Sequence, residues 1–220
     1  MATWMTHLRI ADKLLDRIPG LSPIEFIIGN MAPDSGIPTE TGFSPDVSIS
    51  HFRKDDGSGK KKISLDAYLS KHFTTAQQES FNERQYAFYL GYYCHLLTDC
   101  LWSDHVAWPT RQQFPDASWV EIKANWYALD YEYLNNRRGF RAFRAYLGSV
   151  GFVNSYMDSF APDAFEKKRA AITSFYLEQS APETDLQYLS EAEMNAFVEE
   201  VTEKIAASLG NLHGGSCQNL

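Results

Sequence analysis

Two side chains in the stretch Tyr86–His105 could do chemistry together. The segment reads YAFYLGYYCHLLTDCLWSDH and carries His95 and Asp99 four residues apart. On a helix, positions i and i+4 share one face. An imidazole and a carboxylate then point together from a segment patterned for burial. A buried carboxylate is costly unless it is paired, hydrogen-bonded or bound to a metal. A buried His95–Asp99 hydrogen bond would meet that demand, and so would a metal ion.

Other residues widen the second option. Of the six histidines, His7, His51, His95 and His105 sit in apolar or aromatic surroundings. Asp34 follows the apolar run FIIGNMAP. There it stands at the C-terminal end of a predicted helix, where the dipole is negative and a carboxylate calls for a cation. Imidazole nitrogen with carboxylate oxygen is a ligand set for zinc, and also for iron or manganese. The three cysteines, Cys94, Cys100 and Cys217, form no C-x-x-C pair, so no thiolate motif competes.

The elements that must position these groups read as helices. Leu8, Ala11, Leu14, Leu15 and Ile18 recur at helical spacing over Thr3–Arg17, with Thr3 or Thr6 as cap, and place His7 on the inner stripe. Pro19-Gly20 ends that helix. Ser22-Pro23 opens a second one that ends at Pro33. Residues 35–62 are expected to form a long irregular loop, mobile over RKDDGSGKKK, with Ile49-Ser50-His51-Phe52 as an apolar island inside it. Helices are expected over Ile63–His72 and Thr75–Glu83, the latter with a Thr75/Gln78 capping box. The central helix should stop at Pro109 and Pro115. Asp116–Leu147 should form one long helix, bent near Gly139, with Val120, Ala124, Tyr127, Asp130 or Tyr131, and Leu134 inward. Phe152–Asp158, Asp163–Gln179 and Ser190–Leu209 complete seven to nine helices, with a frayed tail NLHGGSCQNL. No alternating pattern long enough for a strand is present. The expected fold is all-α, one domain over residues 1–220, a multi-helix bundle with a cleft between helices.

Totals bound the function. The chain has 220 residues, 44% hydrophobic and 14% aromatic, enough for a substantial core. A net charge of −8 argues against duplex nucleic acid as a partner, while a small phosphorylated substrate or lipid headgroup remains compatible, since a metal can invert the local field. The unpaired cysteine pattern, the lack of a signal-peptide pattern and the lack of a membrane-spanning run lead to the expectation of a cytoplasmic protein.

Four short motifs, in order, resemble one family. They are Thr6-His7-Leu8-Arg9-Ile10-Ala11, Phe26 through Asp34 (FIIGNMAPD), Ser50-His51-Phe52, and Gly91 through Asp99 (GYYCHLLTD). This order is similar to that of the bacterial zinc-dependent phospholipases C, which share an all-helical fold with the single-strand-specific zinc nucleases. The resemblance covers the first half of the chain. It implies that His7, Asp34, His51, His95 and Asp99 are metal ligands, with Asp99 shared between ions; Asp34 and Asp99 are also the candidate catalytic residues. Secreted members also use the amine of an N-terminal tryptophan; here Trp4 lies inside the chain, three residues before His7. They further use a late H-x-x-x-E pair, where this chain has Trp126 and Asp130. His105 and Asp130 are therefore candidates for an additional metal or substrate contact, and one or two ions are expected.

The expected activity is hydrolysis of a phosphate ester, a phosphodiester first, by metal-activated water. One alternative is an HD-type nucleotide phosphohydrolase, although Asp104-His105 has the reverse order of that motif. The other is a non-catalytic helical protein with a structural metal. The basic cluster Arg137, Arg138, Arg141 and Arg144 is expected to be a solvated helix face.

Overall fold

The computed structural model describes residues 1–55, 61–137, 139–185 and 187–213. It is helical with two small hairpins, as the all-α pattern requires. Helix α1 (Trp4–Arg17) is capped by Thr3, whose hydroxyl accepts from the Thr6 amide. Its inner stripe buries His7, Leu8, Ala11 and Leu14, while Leu15 and Ile18 are half-buried. Helix α2 (Pro23–Met31) starts with Pro in its first turn after Ser22 and passes into a short 3₁₀ turn, Ala32–Asp34. Asp34 thus stands at the end of an apolar helix.

The described residues of this stretch, 35–55 and 61–63, are more ordered than an irregular loop. Strands β1 (Ile37–Thr39) and β2 (Gly42–Ser44) pair antiparallel, as do β3 (Arg53–Asp55) and β4 (Lys61–Ile63). Three-residue strands are too short to leave an alternating signature in sequence. Between the hairpins lies one turn of helix, α3 (Val47–Ser50), capped by Asp46. The charged stretch expected to be mobile falls partly outside the described residues.

Helix α4 (Leu65–His72) is followed by α5 (Thr75–Ser80). The capping box before α5 is Thr74 with Gln77, one residue earlier than expected. Helix α6 (Glu83–Trp102) begins at a second box, Asn82 with Gln85. It does not stop at Pro109. A π-helical turn, Ser103–Ala107, carries it into α7 (Trp108–Gln113). Pro109 falls in the first turn of α7, directly after the widened turn, and has no N–H to donate back into it.

The expected single helix over Asp116–Leu147 is two, α8 (Trp119–Asn136) and α9 (Arg141–Gly148). Gly139 between them has φ +91°, a left-handed conformation that ends a helix rather than bending it. The inner face of α8 is Ile122, Asn125, Trp126, Leu129, Asp130 and Tyr131, and Val120 is 79% exposed. Asn125 fixes that rotation: its side chain bonds the backbone of Tyr188 and Leu189. Residues 152–158 are not helical. The Asn154 side chain accepts from the Tyr156 and Met157 amides and donates to the Met157 and Phe160 carbonyls, which takes the backbone groups a helix would use. Helices α10 (Ala164–Glu178) and α11 (Glu191–His213) close the fold, making eleven α-helices among the described residues. The tail beyond 213 lies outside them.

The tightest packing is between α2 and α6. A Cβ added to Gly29 would meet the Phe88 carbonyl, and one added to Gly91 would meet the Phe26 carbonyl, both far inside contact distance. The two glycines let the helix backbones touch. Helix α1 packs across α2 and against α11, and α9 against both α1 and α2. Arg141 ties α9 to α1 through Asp12 and Asp16. The Trp102 ring stands edge-on to Trp126 and Phe197, each 5.0 Å away. No helix among the described residues is long and apolar enough to cross a membrane.

Candidate metal centre

The contact of α2 with α6 carries the centre. His95 rises from the middle of α6, and its Nδ1 lies 2.7 Å from the Asn30 carbonyl on α2. That contact fixes the ring and leaves Nε2 facing inward. Asp99 follows one turn later on the same face. His7 comes from α1 and stacks on His95, with ring centroids 3.8 Å apart and planes 6° from parallel. His51 follows α3; its Nδ1 is 2.9 Å from the Ser50 hydroxyl. Tyr92 of α6 donates to the Ser50 carbonyl at 2.5 Å and so holds that turn against the central helix. Phe52, directly after His51, is held at φ +51°. A side-chain-bearing residue in the left-handed region is strained, and here it stands beside the cluster.

The polar atoms converge. His7 Nε2 is 3.4 Å from Asp99 Oδ1, and His95 Nε2 is 3.6 Å from Asp99 Oδ2. His51 Nε2 is 3.3 Å from Asp34 Oδ1 and 3.8 Å from Asp99 Oδ2. Two sets, His7 with Asp34 and His95, and His51 with His95 and Asp99, place their ligand atoms within 4.8 Å of one another. The imidazole and carboxylate atoms are nevertheless not hydrogen-bonded to each other. His7 Nε2, His51 Nε2, His95 Nε2 and Asp99 Oδ2 are all buried without a hydrogen-bond partner. Buried polar groups normally find partners, and each orphan costs about 1–3 kcal/mol. Orphans distributed over two ligand sets that share His95 suit metal binding, which would satisfy them where hydrogen bonds do not.

The charges agree with that fit. Burial pushes the Asp99 carboxyl up, but the chain's amino terminus, His7 and His95 outweigh it and hold it well below the usual range. Asp34 is also held low: burial opposes, and the His51 contact and the nearby imidazoles prevail. Burial, then His95, lowers His7 to about 4, so it is neutral near pH 7. Burial lowers and Asp99 raises His95, with a net upward shift. Asp34 and Asp99 are therefore held ionised and His7 neutral, as metal ligation requires, while the upward shift of His95 means that a metal would have to displace a proton there.

The remaining candidates lie elsewhere. His105 sits in the π-helical turn, exposed, with Nδ1 3.3 Å from Glu200 Oε1. Asp130 is 1% exposed and outside both ligand sets, its oxygens accepting from the Thr3 and Tyr176 hydroxyls at 2.8 and 2.7 Å. These bonds fasten the start of the chain to α8 and α10. Trp4 packs among Tyr127, Phe175 and Tyr176. The N-terminal group that does reach the centre is the Ala2 amide, which donates to Asp99 Oδ1 at 2.8 Å. Nothing in the residue types at 2 and 3 signals this, because the contact spans ninety-seven positions.

Fold and site together define a helical protein with a buried His/Asp cluster that could hold a metal ion. A family model described as zinc dependent phospholipase C matches residues 6–195. The chain belongs to that family. No curated protein and no solved structure matches it.

Proposed function

We propose that this chain, acting as one domain, is a metal-dependent hydrolase of phosphodiesters. His7, Asp34, His51, His95 and Asp99 would hold one or two ions, zinc foremost, with iron or manganese open to the same donors. The observation that carries the reading is the convergence of four buried, unpartnered ligand atoms in a member of a zinc-dependent family. A bound divalent ion supplies water acidified to near-neutral pKa and positive charge for the developing phosphoryl oxygens.

The protein's own groups do the rest. Asp99 is buried, with an oxygen turned to each of His7 and His95, which suits a shared ligand. Asp34 is half-buried and lines the open cleft beside His51. From there its carboxylate can accept a hydrogen bond from the attacking water and orient it toward phosphorus. Stacking on His7 and the Asn30 carbonyl keep His95 from turning, so the geometry is set before substrate arrives. The unpaired thiols of Cys94 and Cys100 fit a cytoplasmic location.

Hydrolysis of bis(p-nitrophenyl) phosphate by the zinc-supplemented protein tests this reading. Turnover lost on chelation and restored by zinc supports it. Zinc retained without turnover of any diester favours a structural metal.

A further inference from the structure

In front of the centre lies a cleft of about 600 Å³, with Asp34 and His51 on its wall. Arg53, Lys123 and Lys168 line it as well, and Asp34 is the one carboxylate among the described lining residues. Three cations thus gather at one mouth on a chain of net charge −8. The Arg53 Nε is buried with no hydrogen-bond partner. Lys168 is half-buried, and its ammonium lies 5.3 Å from the centre of the Trp4 ring. Arg111 lies 5.0 Å from the centre of the Trp119 ring, another indole of the cleft. These two indoles each already give a face to a protein cation. A ligand carrying an ammonium group would meet like charge there; a second anion would meet three cations.

We propose that the cleft selects phosphate esters carrying a further negative charge, such as a phosphorylated or carboxylated alcohol, over esters of an amino alcohol. The inference rests on the phosphodiesterase reading: the scissile phosphate is held at the His/Asp centre and the second anion at Arg53, Lys123 and Lys168. Its source can be a soluble ester or a lipid headgroup.

Calorimetric titration of the zinc-supplemented protein with phosphocholine, glycerol 3-phosphate and inositol 1,4-bisphosphate tests it, since the three differ chiefly in charge away from one phosphate. Affinity should rise in that order, by about tenfold or more from end to end. Lys123→Gln, at an exposed position, should flatten the series without changing the melting temperature, and adding Lys168→Gln should flatten it further. Vesicles containing phosphatidylinositol 4-phosphate that compete with the bisphosphate identify a lipid source; bisphosphate binding without competition identifies a soluble one. Phosphocholine binding as tightly as the bisphosphate, or a series unchanged in both variants, overturns the proposal. A lysine-dependent charge series in a protein that hydrolyses no diester would support the charge selectivity of the cleft and overturn the catalytic reading beneath it.

Discussion

His7 and His95 stack face to face, 3.8 Å between ring centres, and each turns Nε2 to a different oxygen of Asp99. Two imidazolium rings in that arrangement would repel strongly. Burial and the neighbouring ring settle it by keeping His7 neutral down to about pH 4. One carboxylate between two such rings is a poor hydrogen-bonded trio, as the orphaned nitrogens attest, which is why the metal reading is proposed for it.

The orientation of His51 depends on Ser50. Replacing Ser50 with Ala removes the contact at Nδ1 and frees the ring. Zinc affinity should fall by roughly 10- to 100-fold, the usual cost of losing such a supporting contact. Competition with a chromophoric chelator measures it. Unchanged affinity would show that His51 needs no such support.

The α2–α6 contact should be intolerant of a single methyl group. Gly29→Ala or Gly91→Ala drives a Cβ into a backbone carbonyl of the other helix. The cost should be about 1–3 kcal/mol or more, with weakened zinc binding because Asn30 moves relative to His95. Gly148→Ala, where nothing lies within 4 Å, is the control and should be close to neutral. Urea denaturation of the three variants decides; equal stabilities would refute the packing account.

Asp130 should impose a pH dependence. Burial raises its carboxyl from 3.8 to about 7 in the folded chain. Between those values the folded state keeps a proton that the unfolded state has released. Its contribution to stability is therefore full below about pH 4, is lost as pH rises to 7, and is flat above. The loss is on the order of a few kcal/mol. His7, lowered from 6.5 to about 4, works the opposite way, losing stability as pH falls through the same window. The readout is accordingly the difference between wild type and Asp130→Asn, whose amide mimics the protonated acid. That difference should shift in favour of the variant from pH 4 to 7 in metal-free buffer. A pH-independent difference would show that Asp130 stays ionised.

Much of the site was legible because its residues sit in local patterns. His95 and Asp99 are one helical turn apart, Asp34 follows a helix end, and His7 lies on an amphipathic stripe; each signal fits within a few residues. What was not legible is long-range. The bonds from Ala2 to Asp99 and from Thr3 to Asp130 join segments ninety-seven and one hundred and twenty-seven positions apart, and no local pattern announces them. The rotation of α8 was misread for a related reason. Tyr and Ala are ambiguous between core and surface, and Asn125 is inward only because a distant loop at 188–189 supplies its partners. At 152–158 the apolar residues suggested a helix, but the Asn154 side chain captured the backbone.

The central claim is that the His/Asp cluster is a metal centre, and the zinc content of the purified chain tests it most directly. After saturation with zinc and removal of the free ion, mass spectrometry of the wild type should give one or two ions per chain. Asp99→Ala, which removes the shared carboxylate, should retain less than half of that. A wild type that holds no zinc, or an Asp99→Ala variant that holds as much as the wild type, would contradict the account.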